Sequence, residues 1–249
     1  MLTTDTLTER QGRGLTFAGR TILILSPHPD DEVLGCGGLI SRAKAEGARV
    51  YVLFLAIGNT REFTSEGRST DDERMAEIKK VAEFLDYDGW RIAYQGDRYH
   101  LRLDTVAQLD LISEIEAGPD ISLQALRPDI LLVPQAVDYN QDHRACTDAA
   151  FAAARPAPDG VKALTPVVLG YESVPAEWSP SPPAPRDCFV ALDEQDVQAK
   201  IDALLLYRSQ VRPGHHLRSP EAIRTLADLR GRQSGVPRAE AFVTYRVLL

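Results

Sequence analysis

The sequence predicts an α/β fold of Rossmann-like type: a mostly parallel sheet flanked by helices, with an active site at the carboxyl ends of the strands. Three observations lead there. The 249 residues suit one α/β domain and are enough to bury about three quarters of the unfolded surface. Short continuous apolar runs alternate with segments whose apolar residues recur at helical spacing. The first 57 residues already spell strand, helix, strand, the unit that joins two parallel strands.

The elements follow in order. Residues 1–19 are polar and irregular and read as a loose N-terminal arm, leaving 20–249 as a single domain. Thr21-Ile22-Leu23-Ile24-Leu25, closed by Pro27, is a buried strand. Val33, Leu34, Leu39, Ile40 and Ala43 mark a helix from Glu32 to Glu46, stopped at Gly47. Val50 to Ile57 is the next strand. Thr70-Asp71-Asp72-Glu73 fits a capping box that opens a helix through Leu85. Further strands are expected at 90–94, 129–133, 167–171, 188–192 and 241–248, and helices at 103–115, 145–154, 197–207 and 222–232. The proline-rich stretch 175–185 reads as a surface loop.

Composition excludes several classes. The net charge of −8 and the lack of a basic run argue against a nucleic-acid binder. No apolar run reaches the length of a membrane-spanning helix, and no signal peptide opens the chain, so the expected location is cytoplasmic. Cys36, Cys146 and Cys188 are scattered and form no CxxC pair, which suits thiols in a reducing compartment. Gly35-Cys36-Gly37-Gly38 does not fit G-x-G-x-x-G, so a nucleotide-dependent reading is set aside in favour of close helix packing. Ser209 has no His-Asp pattern beside it, which discounts a serine hydrolase.

The chemistry concentrates in Ser26-Pro27-His28-Pro29-Asp30-Asp31-Glu32, where the first strand gives way to the first helix. Ligands in open α/β sheets bind beyond the carboxyl ends of strands. An imidazole and a carboxylate there can ligate a divalent metal, and a second carboxylate can act as general base toward a metal-activated water. A third ligand should come from another strand end. Asp138-Tyr139-Asn140-Gln141-Asp142-His143 follows the strand at 129–133 and offers His143, with Asp142 placed to support a ligating histidine.

These residues resemble the PIG-L/LmbE-like N-deacetylase family, whose members carry (P/A)-H-P-D-D-E after the first strand and H-x-D-H later. The match is closest in Pro27 to Glu32 and good in Asp142-His143. It is looser in Arg74-Met75-Ala76-Glu77, Gly96-Asp97, Lys200 to Gln210 and Ala239-Glu240-Ala241-Phe242. The resemblance implies catalytic zinc held by His28, Asp31 and His143, Asp30 as general base, and Arg74 and Asp97 holding a sugar. The substrate it implies is an N-acetylated amino sugar or its conjugate, deacetylated at the amide nitrogen. Iron(II) suits the same ligand set, and a homo-oligomer is allowed.

One position departs from the family. Asn140 stands where the first histidine of H-x-D-H is usual. An amide can donate a hydrogen bond to an oxyanion but cannot deliver a proton as an acid, so the proton falls to Asp30 or to His100, His215 or His216. Two other readings stay open: cleavage of another amide, ester or carbamoyl group on the same scaffold, and a sugar-binding relative without turnover. The loops 58–69 and 175–186 are expected to set the substrate.

Overall fold

The computed structural model describes residues 16–64, 67–158, 160–172, 178–179, 181–182, 185–212 and 214–248. In chain order the elements are β1 (Thr21–Ser26), α1 (Asp31–Ala45), β2 (Arg49–Ile57), β3 (Thr60–Thr64), β4 (Gly67–Ser69), α2 (Asp71–Phe84) and β5 (Gly89–Gln95). After a 3-10 turn (Leu103–Thr105) come α3 (Gln108–Ala117), α4 (Leu123–Leu126), β6 (Ile130–Pro134), α5 (Gln141–Ala153), β7 (Val167–Tyr171), β8 (Cys188–Leu192), α6 (Glu194–Leu206), α7 (Pro220–Ser234) and β9 (Arg238–Val247).

Seven strands form one sheet in the order β5-β2-β1-β6-β7-β9-β8. The first five of that order are parallel, and β9 runs antiparallel to both β7 and β8. Strand β1 explains why its sequence is a continuous apolar run. Ile22 and Ile24 pack into the layer with α1, α2, α6 and α7, while Leu23 and Leu25 pack into the layer with α3, α4 and α5. Both faces of a sheet covered by helices demand apolar residues at every position. The chain builds outward from β1 to β2 and β5, then returns to place β6 on the other side of β1. That reversal opens a crevice at the carboxyl ends of β1 and β6.

Helix α2 opens with the expected capping box. Glu73 N–H donates to Thr70 Oγ1, and the Glu73 carboxylate accepts from Thr70 N–H. The helix expected over 103–115 is instead a 3-10 turn followed by α3. Val106 and Ala107, with ψ of 138° and 130°, are extended and separate the two, while Leu103 N–H donates to the Asp142 carboxylate at 2.9 Å. Of the expected arm, residues 16–19 are described: Phe17 packs on the core and its N–H donates to Glu46 at 2.7 Å. Residues 1–15 and most of 175–185 lie outside the described residues. Among the described residues no helix is long and apolar enough to cross a membrane.

Gly35 shows why the second turn of α1 is made of small residues. A Cβ there would lie 2.3 Å from Cδ2 of Tyr171, and that ring is anchored because its hydroxyl donates to the Leu25 carbonyl at 2.9 Å. The close approach seats α1 over the end of the sheet and so aims the His28 loop. Gly35→Ala is expected to destabilise the protein by about 1–3 kcal/mol through overpacking. The check is urea unfolding, where the midpoint falls with an unchanged slope; an unchanged midpoint would mean that Tyr171 gives way freely.

Candidate active site

The loops after β1 and β6 meet at the crevice. His28, Asp31 and His143 are all buried, and each offers a ligand atom within 4.8 Å of the others. Asp31 Oδ2 is the hub, 3.4 Å from His28 Nδ1 and 3.2 Å from His143 Nε2. The outer nitrogen of each ring has its own carboxylate. His28 Nε2 pairs with Asp142 Oδ2 at 2.8 Å, and His143 Nδ1 with Asp138 Oδ2 at 2.7 Å. Carboxylates placed so hold the rings with their inner nitrogens toward the shared centre. Two imidazoles and one carboxylate form a donor set of the kind catalytic zinc and non-haem iron(II) use, so the residues present fit a divalent metal.

Electrostatics agree with that fit. Burial alone would push the His143 pKa down, but Asp31 and the bond from Asp138 outweigh it and raise it to about 10. Burial likewise works against the charged form of His28, and Asp142 and Asp31 raise its pKa on balance. Burial would raise the Asp31 pKa, yet the two histidines hold it well below the usual carboxylate range.

Asp30 is built differently. It sits at φ 117°, in the left-handed region that non-glycine residues rarely adopt. Its N–H donates to Glu32 Oε2 at 3.1 Å, and its carbonyl accepts from Leu34 N–H at 2.9 Å. Glu32 is itself fixed by the Tyr207 hydroxyl at 2.5 Å and lies 3.1 Å from Ser26 Oγ. This brace holds the strained turn and points the Asp30 carboxylate into the cleft. There Oδ2 is buried, accepts no hydrogen bond, and lies 3.4 Å from Arg218 Nη1. Burial raises the Asp30 pKa to about 6, with Arg218 pulling it back down.

A cleft of about 630 Å³ opens over the cluster. His28, Asp30, Arg74, Asp97 and Asn140, all singled out in the sequence, line it. Arg74 is buried and donates to the carbonyls of Gly58 and Pro29, both at 3.3 Å, which ties the loops after β1 and β2 together. Asp97 accepts from the backbone and side-chain N–H of Asn59 at 2.8 and 3.1 Å. Asn140 is the N-cap of α5: its Oδ1 accepts from Asp142 N–H at 2.9 Å, which leaves the NH2 group as its donor. Asp142 is fully buried behind His28 and does not line the cleft.

Of the three other histidines, His100 lines the cleft, while His215 and His216 are exposed and do not. His100 Nε2 lies 3.2 Å from Arg74 Nη1. Burial, Arg74 and His28 together press its pKa down to about 3, so the ring is neutral. Sequence reasoning missed Asp138, Asn59, Arg102, Arg212 and Arg218. For Asp138 a signal existed, a carboxylate in the same post-strand loop as His143. For Arg218, carried in from a distant loop, there was none.

A layered α/β sheet with a buried two-histidine, one-carboxylate cluster at its point of reversal sets this chain among proteins that build metal-type sites in such crevices. The chain belongs to the PIG-L family, described as GlcNAc-PI de-N-acetylase, whose model matches residues 23–154. It is 26% identical over 193 residues to the uncharacterized deacetylase YaiS of Escherichia coli (strain K12), covering 76% of this chain and 90% of YaiS. It is 26% identical over 184 residues to 2'-N-acetylparomamine deacetylase of Streptomyces fradiae, covering 68% of this chain and 60% of that enzyme. Among solved structures it is similar to the conserved protein TT1542 from Thermus thermophilus, with a TM-score of 0.70, 28% identity, and 92% and 96% of the two chains covered.

The histidine geometry has a consequence for metal uptake. With the His143 pKa at about 10, a metal entering near neutral pH must displace a proton, so affinity rises with pH and binding releases protons. Calorimetry in buffers of different ionisation enthalpy reads that release. Asp138→Ala is expected to weaken metal binding about 10–100-fold, measured by chelator competition. Wild-type affinity in that variant would remove Asp138 from the support of His143.

Proposed function

We propose that the protein is a metal-dependent hydrolase, a zinc N-deacetylase that removes an acetyl group from the amide nitrogen of an N-acetylated amino sugar or its conjugate. The observation that carries the reading is the buried cluster of His28, Asp31 and His143 with Asp30 beside it, its backbone in the left-handed region and its buried Oδ2 without a hydrogen bond. Family membership and relatives named as deacetylases, one of them for 2'-N-acetylparomamine, support it. Residues 20–249 act as one unit in this reading. The scattered cysteines, unbridged among the described residues, suit a cytoplasmic protein.

His28, Asp31 and His143 would hold the metal, which when bound supplies Lewis acidity and brings the pKa of water toward about 7. The protein's own residues then do the following. Asp30, with its pKa near 6, takes a proton from the attacking water as oxygen bonds to the acyl carbon. Asn140 offers its NH2 group to the acyl oxygen as negative charge develops. The protonated Asp30 returns the proton to the nitrogen as the C–N bond breaks, releasing acetate and the free amine. Arg74 and Asp97 position the sugar from the cleft wall, and the exposed faces of Leu101 and Tyr139 line its rim.

Asn140 also favours a second reading, a relative that binds the acetylated sugar without turning it over. One experiment separates the two. Zinc-loaded, iron-loaded and chelated protein are assayed for acetate release from a panel of N-acetylated amino sugars. Metal-dependent release supports the hydrolase, and binding without release supports the second reading. Asp30→Asn is expected to keep its metal and lose about 10²–10⁴-fold in kcat. Near wild-type turnover in that variant would make the base assignment wrong.

A further inference from the structure

The cleft wall carries four arginines, Arg74, Arg102, Arg212 and Arg218, against two carboxylates, Asp30 and Asp97. The whole chain has a net charge of −8, so the cleft opposes the sign of the molecule around it. A cleft lined by one sign of charge focuses the field and concentrates ions of the other.

Two of the arginines have internal tasks. Arg74 spans the carbonyls of Pro29 and Gly58, and Arg218 faces Asp30 while donating to Gln210 Oε1 at 3.0 Å. The other two, Arg102 and Arg212, line the cleft without belonging to the cluster of His28, Asp31 and His143. Arg102 is exposed, and the next residue, Leu103, is pinned to Asp142, so its backbone is fixed relative to the His28 support. Arg212 is braced by its own loop: Nη1 donates to the carbonyls of Ser209 and Val211 at 2.9 and 3.0 Å, and its N–H donates to the Arg218 carbonyl.

A guanidinium offers donors only, in a fork that matches carboxylate and phosphate oxygens. Arg102 and Arg212 therefore match an anionic group better than they match the hydroxyls of a neutral sugar, which the Asp97, Asn59 and Gln210 side chains in the same lining can meet. We infer that the substrate carries an anionic group, a phosphate or a carboxylate, on the part of the molecule away from its N-acetyl group, and that Arg102 and Arg212 recognise it. This rests on the hydrolase reading above and narrows its substrate class.

The test compares N-acetylglucosamine with its 1-phosphate and 6-phosphate, and a methyl with a carboxymethyl glycoside of the same sugar. Acetate release by the zinc-loaded protein and calorimetric binding are measured on the same compounds. The expected result is a preference of about tenfold or more for the anionic members, carried in KM and in the dissociation constant, and fading as salt is raised. Whether the phosphates or the carboxymethyl glycoside gain more names the source of the charge. In the Arg102→Gln, Arg212→Gln double variant the ratio of anionic to neutral kcat/KM should fall toward one. General damage to the site cancels in that ratio. Acetate released equally from neutral and anionic compounds keeps the hydrolase reading and overturns this inference. Tighter binding of the anionic compounds with no acetate released from any does the reverse, and neither preference nor release overturns both.

Discussion

Ile22, Leu23 and Ile24 of β1 pair in parallel register with Ile130, Leu131 and Leu132 of β6, and this short ladder carries residues 114 positions apart in the chain into hydrogen-bond contact, His28 against Asp142. Everything functional hangs from that register. A parallel ladder fixes which backbone positions end level with each other, so the loop after β1 and the loop after β6 leave the sheet side by side. The pleat also decides orientation: a slip by one residue would exchange the two faces of the strand, and here both faces are packed from Ile22 to Leu25. The apolar layers thus lock the register, and the register sets the distance between the histidines.

Such a cluster is expensive to bury. Asp31, Asp138 and Asp142 are all but inaccessible, and isolated carboxylates in that environment would cost several kcal/mol each. The two histidines offset part of that cost by carrying protons, and the raised pKa values of His28 and His143 are the same fact seen from the other side. A divalent cation bound there would replace those protons with a more compact countercharge. The cluster is therefore arranged to suit a cation, and the carboxylates behind the rings govern both how tightly protons are held and how readily they leave. Asp30 differs because its Oδ2 has no hydrogen-bond partner and Arg218 stands at a longer range. That contrast keeps two adjacent aspartates in different protonation regimes, one ionised and one near 6.

Much of this was legible in the sequence because it is local. The strand at Thr21, the capping box at Thr70 and the His-Pro-Asp-Asp-Glu turn depend on neighbours a few residues away. Asp142 was legible as a support for a histidine, but its partner turned out to be His28 across the sheet and not its neighbour His143, which Asp138 holds instead. The looser segments became intelligible only in three dimensions. Glu77 accepts from the N–H and hydroxyl of Ser209, tying α2 to the loop that carries Gln210. Glu240 pairs with Lys200 at 2.7 Å and accepts from Gly38 and Leu39 of α1. Arg218 and the antiparallel insertion of β9 between β7 and β8 depend on long-range packing, for which periodicity and spacing carry no signal. The β3–β4 hairpin, inside the loop expected at 58–69, lacked the apolar alternation that marks a strand.

Asn140 illustrates how one position can be pulled by two demands. It is the first residue before α5, so its side chain must accept a hydrogen bond from the opening turn of the helix, and asparagine is among the best residues for that task. The same side chain lines the cleft. Its carbonyl oxygen caps Asp142 N–H, which orients the very residue that holds His28, and its NH2 group is left for the cleft. An imidazole here could carry a proton but would cap the helix less well, and Asp142 would lose part of its fixing. In the proposed hydrolase, an amide here would still meet charge on the acyl oxygen with a donor, and proton delivery would pass to a group that titrates near neutrality. Asp30, raised by burial and restrained by Arg218 to about 6, would meet that requirement, and the hydrogen bonds of Glu32 to Asp30 N–H and to the Tyr207 hydroxyl hold the turn that carries it.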